Sequence, residues 1–372
     1  MRALALVALA VVSCADSAPA APAAAESALE PVRAKYDLPS LAGAVFSGDA
    51  TIAVGAVGVR KRGDPTPITR ADRWHLGSDT KAMTATLIAL SVGEGALRWE
   101  TTMAEAFPQD AASFDPAYRA VSIEQLLRHM GGAPAAVPAD IWAAMWQPGD
   151  PPAQRRTAVL AMLRRPPETP PGTAFAYSNA GYMMAGAALE ARTGATWDAL
   201  MRTRLFGPLG MTSCGFGAPA SPGTVDQPWG HGADGIPVDP GGGAADNPPS
   251  LGPAGTVHCS LEDWAKFLRV HLLGARGLPT PLALDAAAFA RMHTPPPGGD
   301  YAFGWLVTSR PWGGTVLTHS GSNTMFFATA WISPARDRIF VAATNQGGDA
   351  AATGVDAAFG PLIGNWNAPT PP

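Results

Sequence analysis

Ser78-Asp79-Thr80-Lys81-Ala82-Met83-Thr84-Ala85-Thr86-Leu87-Ile88-Ala89-Leu90 sets a serine and a lysine at the head of an almost wholly apolar run. Such a run reads as a helix apolar on every side, the pattern of a buried central element. Gly93 and Gly95 are its expected end. Three positions apart on a helix, Ser78 and Lys81 share a face and lie within reach of each other. A serine hydroxyl is a poor nucleophile until a base takes its proton, and Ser-Lys pairs are a known variant of the Ser-His-Asp arrangement. A first-turn position surrounds Ser78 with unpaired N–H groups and the positive dipole end, which favours developing negative charge. Lys81 acts as a base near neutral pH only if burial or a second cation lowers its pKa.

Lysine and tyrosine are scarce here. The lysines are Lys35, Lys61, Lys81 and Lys266, and there are 5 tyrosines. A lone Ser-x-x-Lys still arises by chance in roughly one such sequence in five, and a Tyr-x-Asn in roughly one in twelve. Both occur in order, followed by a basic-Ser-Gly triplet: Tyr177-Ser178-Asn179, then His319-Ser320-Gly321. Chance produces that combination in about one per cent of cases or fewer. The weight lies on the constellation and not on any one motif.

The three motifs in this order resemble those of the serine β-lactamase and D-alanyl-D-alanine peptidase family. The resemblance is strongest to its class C-like branch, which includes esterases and D-aminopeptidases. It extends beyond the motifs to Pro170-Pro171-Gly172-Thr173 before Phe175-Ala176-Tyr177-Ser178-Asn179, to Val121 through His129, to Pro208-Leu209-Gly210-Met211-Thr212 and to Tyr301-Ala302-Phe303-Gly304-Trp305. The resemblance implies that Ser78 is acylated and that Lys81 takes its proton, shared with Tyr177. It implies that Tyr177 protonates the leaving group and then activates the deacylating water. Asn179 would orient the substrate amide or Lys81. His319, Ser320 and Gly321 would form a strand edge along which an extended substrate lies. The backbone N–H groups of Ser78 and Ser322 would hold the oxyanion.

One departure bears on specificity. A lysine in the third motif would supply a permanent cation for the carboxylate of a β-lactam, whereas histidine is mostly neutral above its ordinary pKa of about 6.5. The expected reaction is hydrolysis of an ester or an amide through an acyl-enzyme, with an ester ranked before a D-amino-acid peptide or amide and a β-lactam last. A class C-like β-lactamase is the alternative, and a catalytically idle peptidoglycan-binding protein is the rival of another class. Glu168 lies near the second motif in a run of prolines and makes no case as a deacylating base.

Each residue also has a plainer reading. Ser78 or Asn179 would serve as a helix cap, Tyr177 as a core tyrosine and His319 as a structural histidine. His75 is read as packing and His129 as holding a turn. His231, His258, His271 and His293 lack metal-ligand spacing, and no metal or cofactor is expected. A Gly-x-Ser-x-Gly elbow, a Walker loop and a dinucleotide fingerprint are all missing from the sequence.

The chain has 372 residues, is 47% hydrophobic and carries a net charge of −4, which argues against disorder and gives no reason to expect a nucleic-acid partner. Met1-Arg2 and the apolar run Ala3 to Val12 read as an export signal over residues 1–14, too short to span a membrane. Val11-Val12-Ser13-Cys14 fits a lipoprotein box with Cys14 lipidated and the protein membrane-attached, while Ser13-Cys14-Ala15 fits ordinary cleavage. An exported, periplasmic or lipid-anchored bacterial protein is expected, with residues 15–26 as an Ala/Pro tether. Cys214 and Cys259 would pair in an oxidising compartment or stay as two buried thiols.

Residues 27–365 read as one catalytic unit followed by a short tail. Ser27 to Tyr36 is a helix candidate, and Leu41 to Phe46 and Thr51 to Val59 are strands joined by a hairpin turn. The region 78–295 is mostly helical pattern and loops, with Ser260 capping a helix to Leu273 and Asp226 to Pro253 as a surface excursion. Trp142 and Trp146 share a helix face as subdomain core or cleft wall. Strands return at Phe303 to Ser309, Thr315 to His319, Phe326 to Ile332 and Ile339 to Thr344, and Asp349 to Ile363 is a last helix. Strands at both ends around a helical middle imply an α/β (α+β) fold. It is an α/β/α sandwich whose antiparallel sheet is built from both chain ends, with a helical subdomain alongside and the active site at their junction.

Overall fold

The computed structural model describes residues 21–243 and 245–368. The expected export segment 1–14, with Cys14, lies outside them. Among the described residues ten strands run in chain order: β1 Ala23–Ala24, β2 Ser40–Phe46, β3 Thr51–Gly58, β4 Arg73–His75, β5 Gly215–Phe216, β6 Val257–Ser260, β7 Leu306–Arg310, β8 Gly314–Ser322, β9 Phe327–Ser333 and β10 Arg338–Thr344. Seven form one sheet in the order β1-β3-β2-β10-β9-β8-β7, antiparallel except for β1 on β3. Strands from the two chain ends meet at β2 and β10, where Val341 pairs with Ala44.

Every residue of β2 and of β10 is buried, as in a sheet covered on both faces. Successive side chains point to opposite faces. Leu41 and Val45 of β2, with Phe340 and Ala342 of β10, pack with Leu29, Val355 and Leu362 from the helices Glu26–Lys35 and Gly348–Trp366. Ala44 and Phe46, with Val341 and Ala343, join the larger core under the helices Thr80–Gly93 and Leu261–Ala275. These are the layers of an α/β/α sandwich, and the long helical region 80–293 completes it on one side.

Four details depart from the sequence reading. Ala23–Ala24, inside the expected 15–26 tether, pair with Ala53 and Val54, and Ala25 is buried. Two residues of chain thereby cover the otherwise open edge of β3. The expected strand at Phe303 begins only at Leu306, because Gly304 (φ +79°) turns the chain where a Cβ would lie 2.5 Å from the Ala82 backbone. The expected surface excursion 226–253 is anchored: Trp229, His231, Ser250 and Leu251 are buried, and the His231 ring accepts from the Arg62 N–H at 2.9 Å. Trp142 is half-buried and packs against the larger core, whereas Trp146 is exposed, their rings 6.0 Å apart edge-on, so only the first of the pair joins the core.

A second, three-stranded sheet β4-β6-β5 had no counterpart in the sequence reading. Cys214 and Cys259 are bonded as a disulfide across it, 45 residues apart in sequence. Closing a loop of that length is worth roughly 2–4 kcal/mol. Replacing both cysteines by alanine should lower the denaturant midpoint accordingly. An unchanged midpoint, with and without reductant, would show that the bond contributes nothing.

Candidate active site

Motif one is held by the small sheet. β4 runs into Leu76, whose N–H donates to the Val257 carbonyl at 2.8 Å, and the Val257 N–H donates to Thr80 Oγ1 at 3.2 Å. Ser78 sits on the short 3₁₀ turn Gly77–Asp79, which leads directly into the helix Thr80–Gly93. From Thr80 to Ser91 every residue of that helix is buried. Two glycines then join motif one to motif three. A Cβ on Gly77, where φ is +50°, would lie 2.3 Å from the Ser322 nitrogen, and a Cβ on Gly321 would lie 2.5 Å from the Ser78 nitrogen. Only glycine permits this backbone-to-backbone approach, so the amides of Ser78 and Ser322 flank one place.

Motif two opens the helix Asn179–Thr193. The cap is Ser178 and not Asn179: Ser178 Oγ accepts from the Gly181 N–H at 2.9 Å. Asn179 is thereby free to turn Oδ1 to Lys81. The Lys81 ammonium donates to Ser78 Oγ at 3.0 Å, Asn179 Oδ1 at 2.8 Å and the Ala254 carbonyl at 2.8 Å. Lys81 is wholly buried, and burial lowers its pKa to about 7 against the opposing charge of Asp79. A neutral lysine keeps two N–H donors and one lone pair. Asn179 and Ala254 are pure acceptors there, so the lone pair is left facing the Ser78 hydroxyl.

Burial raises the Tyr177 hydroxyl above its ordinary pKa, and a hydrogen bond with Ser78 opposes that rise. Tyr177 is therefore a phenol at neutral pH and suited to pass a proton on. Its ring lies 4.8 Å from Lys81 Nζ and 4.3 Å from the His129 ring. His129, held at φ +56°, accepts the Ser178 N–H on Nδ1 at 3.0 Å and packs against Tyr182 and Tyr301, so it braces motif two.

His319 is buried on β8. Its contacts fix one tautomer: Nδ1–H donates to the Ser320 carbonyl at 2.8 Å, and Nε2 accepts from the Tyr301 hydroxyl at 3.2 Å. Burial, and then the nearby Lys81 charge, lower its pKa to about 3. It is neutral at physiological pH. Ser320 is exposed, its Oγ paired with Thr329 Oγ1 at 2.8 Å. Ser322 Oγ donates to the Phe326 carbonyl at 2.7 Å. β7 pairs with β8 only from Gly314 to Thr318, so His319 through Ser322 continue past its end. That leaves a stretch of strand edge beside Ser78.

Ser78, Lys81, Tyr177, Asn179, His319, Ser320, Gly321 and Ser322 thus come together from three distant parts of the chain. Two participants carried no sequence signal: the Ala254 carbonyl and Asp79. Asp79 is buried with neither oxygen hydrogen-bonded, and burial raises its pKa well above the carboxylate range despite Lys81. Among the described residues no cluster of side chains is arranged to hold a metal ion.

Residues 25–363 match the beta-lactamase family. The chain belongs to that family. It is 30% identical over 265 residues to penicillin-binding protein 4 of Amycolatopsis lactamdurans, covering 71% of this chain and 67% of that protein. It is 26% identical over 274 residues to an unguisins hydrolase of Aspergillus campestris, covering 70% of this chain but only 49% of that protein. The penicillin-binding protein homologue of Pyrococcus abyssi, described as octameric, superposes with a TM-score of 0.73 at 21% identity, over 91% of this chain and 76% of that one, a likeness of fold. Membership of the beta-lactamase family sets the general kind of reaction as that of a serine hydrolase.

Proposed function

We propose that this beta-lactamase family member hydrolyses an ester or amide bond through an acyl-enzyme on Ser78. The observation that carries the reading is the buried lysine, whose two fixed acceptors leave its lone pair for the serine. Lys81 removes the Ser78 proton as Oγ attacks the substrate carbonyl. The oxyanion is held by the Ser78 and Ser322 amides, each worth about 3 kcal/mol of barrier. Tyr177 hands a proton to the departing alkoxide or amine and is recharged from Lys81. Water then enters, loses its proton through Tyr177 and releases the acid, and the proton returns to Ser78.

The neutral His319 bears on the substrate class. A carboxylate anchor on the substrate would find no permanent cation at the third motif, which favours an uncharged ester or a neutral D-amino-acid amide over a β-lactam. The Cys214–Cys259 bond supports an oxidising compartment and hence an exported protein.

The test is intact mass over time with a penicillin, an aryl ester and a D-amino-acid amide offered separately. A transient acyl adduct with the aryl ester or the amide, and accumulating product, is the expected outcome. Rapid penicillin hydrolysis would shift the reading to a β-lactamase. Saturable binding of peptidoglycan fragments with no adduct from any substrate would overturn catalysis altogether. Tyr177→Phe should slow deacylation by roughly 10²–10³-fold, the range of a lost acid–base group, so the adduct should outlive that of the wild type. An adduct of unchanged lifetime would remove Tyr177 from the second half-reaction.

A further inference from the structure

Asp246 lies in a Gly/Pro-rich segment with no evident link to Ser78 in the sequence. Its carboxylate reaches in two directions. Towards motif one, the His75 Nε2 lies 2.9 Å from Oδ1 and 3.1 Å from Oδ2. Towards motif three, Asn323 Nδ2 donates to Oδ1 at 3.0 Å. His75 and Asn323 are both buried, and the Asp246 side chain is only 10% exposed.

The two partners are themselves constrained. His75 Nδ1 accepts from the Gly77 N–H at 3.1 Å, so its proton sits on Nε2 and faces Asp246. Asn323 Oδ1 accepts from the Met325 and Phe326 N–H groups at 3.2 and 2.9 Å, so its amide cannot flip, and its Nδ2 also faces Asp246. Position 246 must therefore accept hydrogen bonds from both sides. Asp246 Oδ1 lies within hydrogen-bond distance of both donors, and Oδ2 is a second acceptor for His75. One arm ends at Gly77, the residue before Ser78, and the other at Asn323, the residue after Ser322.

We propose that Asp246 is a positioning residue that sets the spacing between the Ser78 and Ser322 amides, acting through His75 on one side and Asn323 on the other. The proposal rests on the reading of Ser78 as the acylated serine. Asp246→Ala removes the acceptor shared by the two arms. The His75 Nε2–H and Asn323 Nδ2 donors then lose their common anchor, which displaces the oxyanion donors without deleting them.

The experiment compares Asp246→Ala, His75→Leu and His75→Gln with the wild type on an aryl ester, with thermal unfolding and ¹⁵N spectra of the His75 ring. Glutamine carries an acceptor and a donor on one planar group, as the imidazole does here. Asp246→Ala and His75→Leu should lower kcat roughly 10- to 100-fold, short of the 10²–10³ for outright loss of a donor, with KM within about threefold. His75→Gln should recover most of kcat. The ring of wild-type His75 should show the Nε2-protonated tautomer. If Asp246→Ala does not fold, the His75 pair decides alone. Wild-type kcat in folded Asp246→Ala or His75→Leu, or no recovery in His75→Gln, overturns the proposal. Full turnover by Ser78→Ala would instead remove the reading on which it rests.

Discussion

Ser78→Ala should abolish turnover, with kcat down on the order of 10⁵- to 10⁶-fold, the loss seen when a serine nucleophile is deleted, and with the fold intact. The serine is half-buried, and its hydroxyl serves Lys81 and Tyr177. Its loss leaves Lys81 bonded to Asn179 and Ala254, and the turn beneath is fixed by the Leu76 and Val257 backbone. Thermal unfolding should therefore shift by no more than a few degrees. The paired measurement is intact mass after exposure to a serine-directed phosphonate, which should add one adduct to the wild type and none to the variant. Activity within tenfold of wild type, or a phosphonate adduct mapped to another serine, would remove Ser78 from the chemistry.

Much of this site could be read from the chain because its key pairs are local. Ser78 and Lys81 are one helical turn apart, and the apolar run behind them has no exposed side, so their burial follows from sequence. Tyr177 and Asn179 lie two positions apart in one motif, although the cap falls on Ser178 between them and not on Asn179. The sheet strands announce themselves by short apolar runs between turn residues, and β2, β3, β9 and β10 begin and end within a residue or so of the pattern. What was hidden is what depends on long-range closure. Gly77 and Gly321 are 244 positions apart, and nothing in either motif says that their backbones touch. Asp246 sits among glycines and prolines that look solvent-exposed, and its importance comes from two donors in other segments. β1 is two alanines long, too short for any periodicity, and its pairing is parallel. Tyr301 to Trp305 is apolar enough for a strand, but Phe303 and Trp305 spend that apolarity on the core around Gly304 and the helix of Lys81.

Lys81→Met tests the other half of the machinery. If Lys81 is the base, acylation by an uncharged aryl ester should fall roughly 10³- to 10⁴-fold, towards the upper range for a positioned base, while ester binding is little changed. In the wild type the acylating form is the deprotonated lysine. Burial has lowered its pKa to about 7, so acylation should rise with pH through about 7 and level off above it. The variant should lack that limb. Stability supplies an independent check with a definite sign. In the unfolded chain a lysine holds its proton to about pH 10.4, so between about 7 and 10.4 the unfolded state binds the extra proton and the folded state gains stability as pH rises. Below about 7 the folded protein carries a buried ammonium and the full cost of desolvating it. Methionine carries no such cost. The unfolding temperature of Lys81→Met relative to wild type should therefore stand highest below pH 7 and decline as pH climbs towards 10. Acylation that is flat between pH 5 and 9 in the wild type, or undiminished in the methionine variant, would exclude Lys81 as the base. A stability difference that does not change with pH would show that the lysine is not buried as an ionisable group.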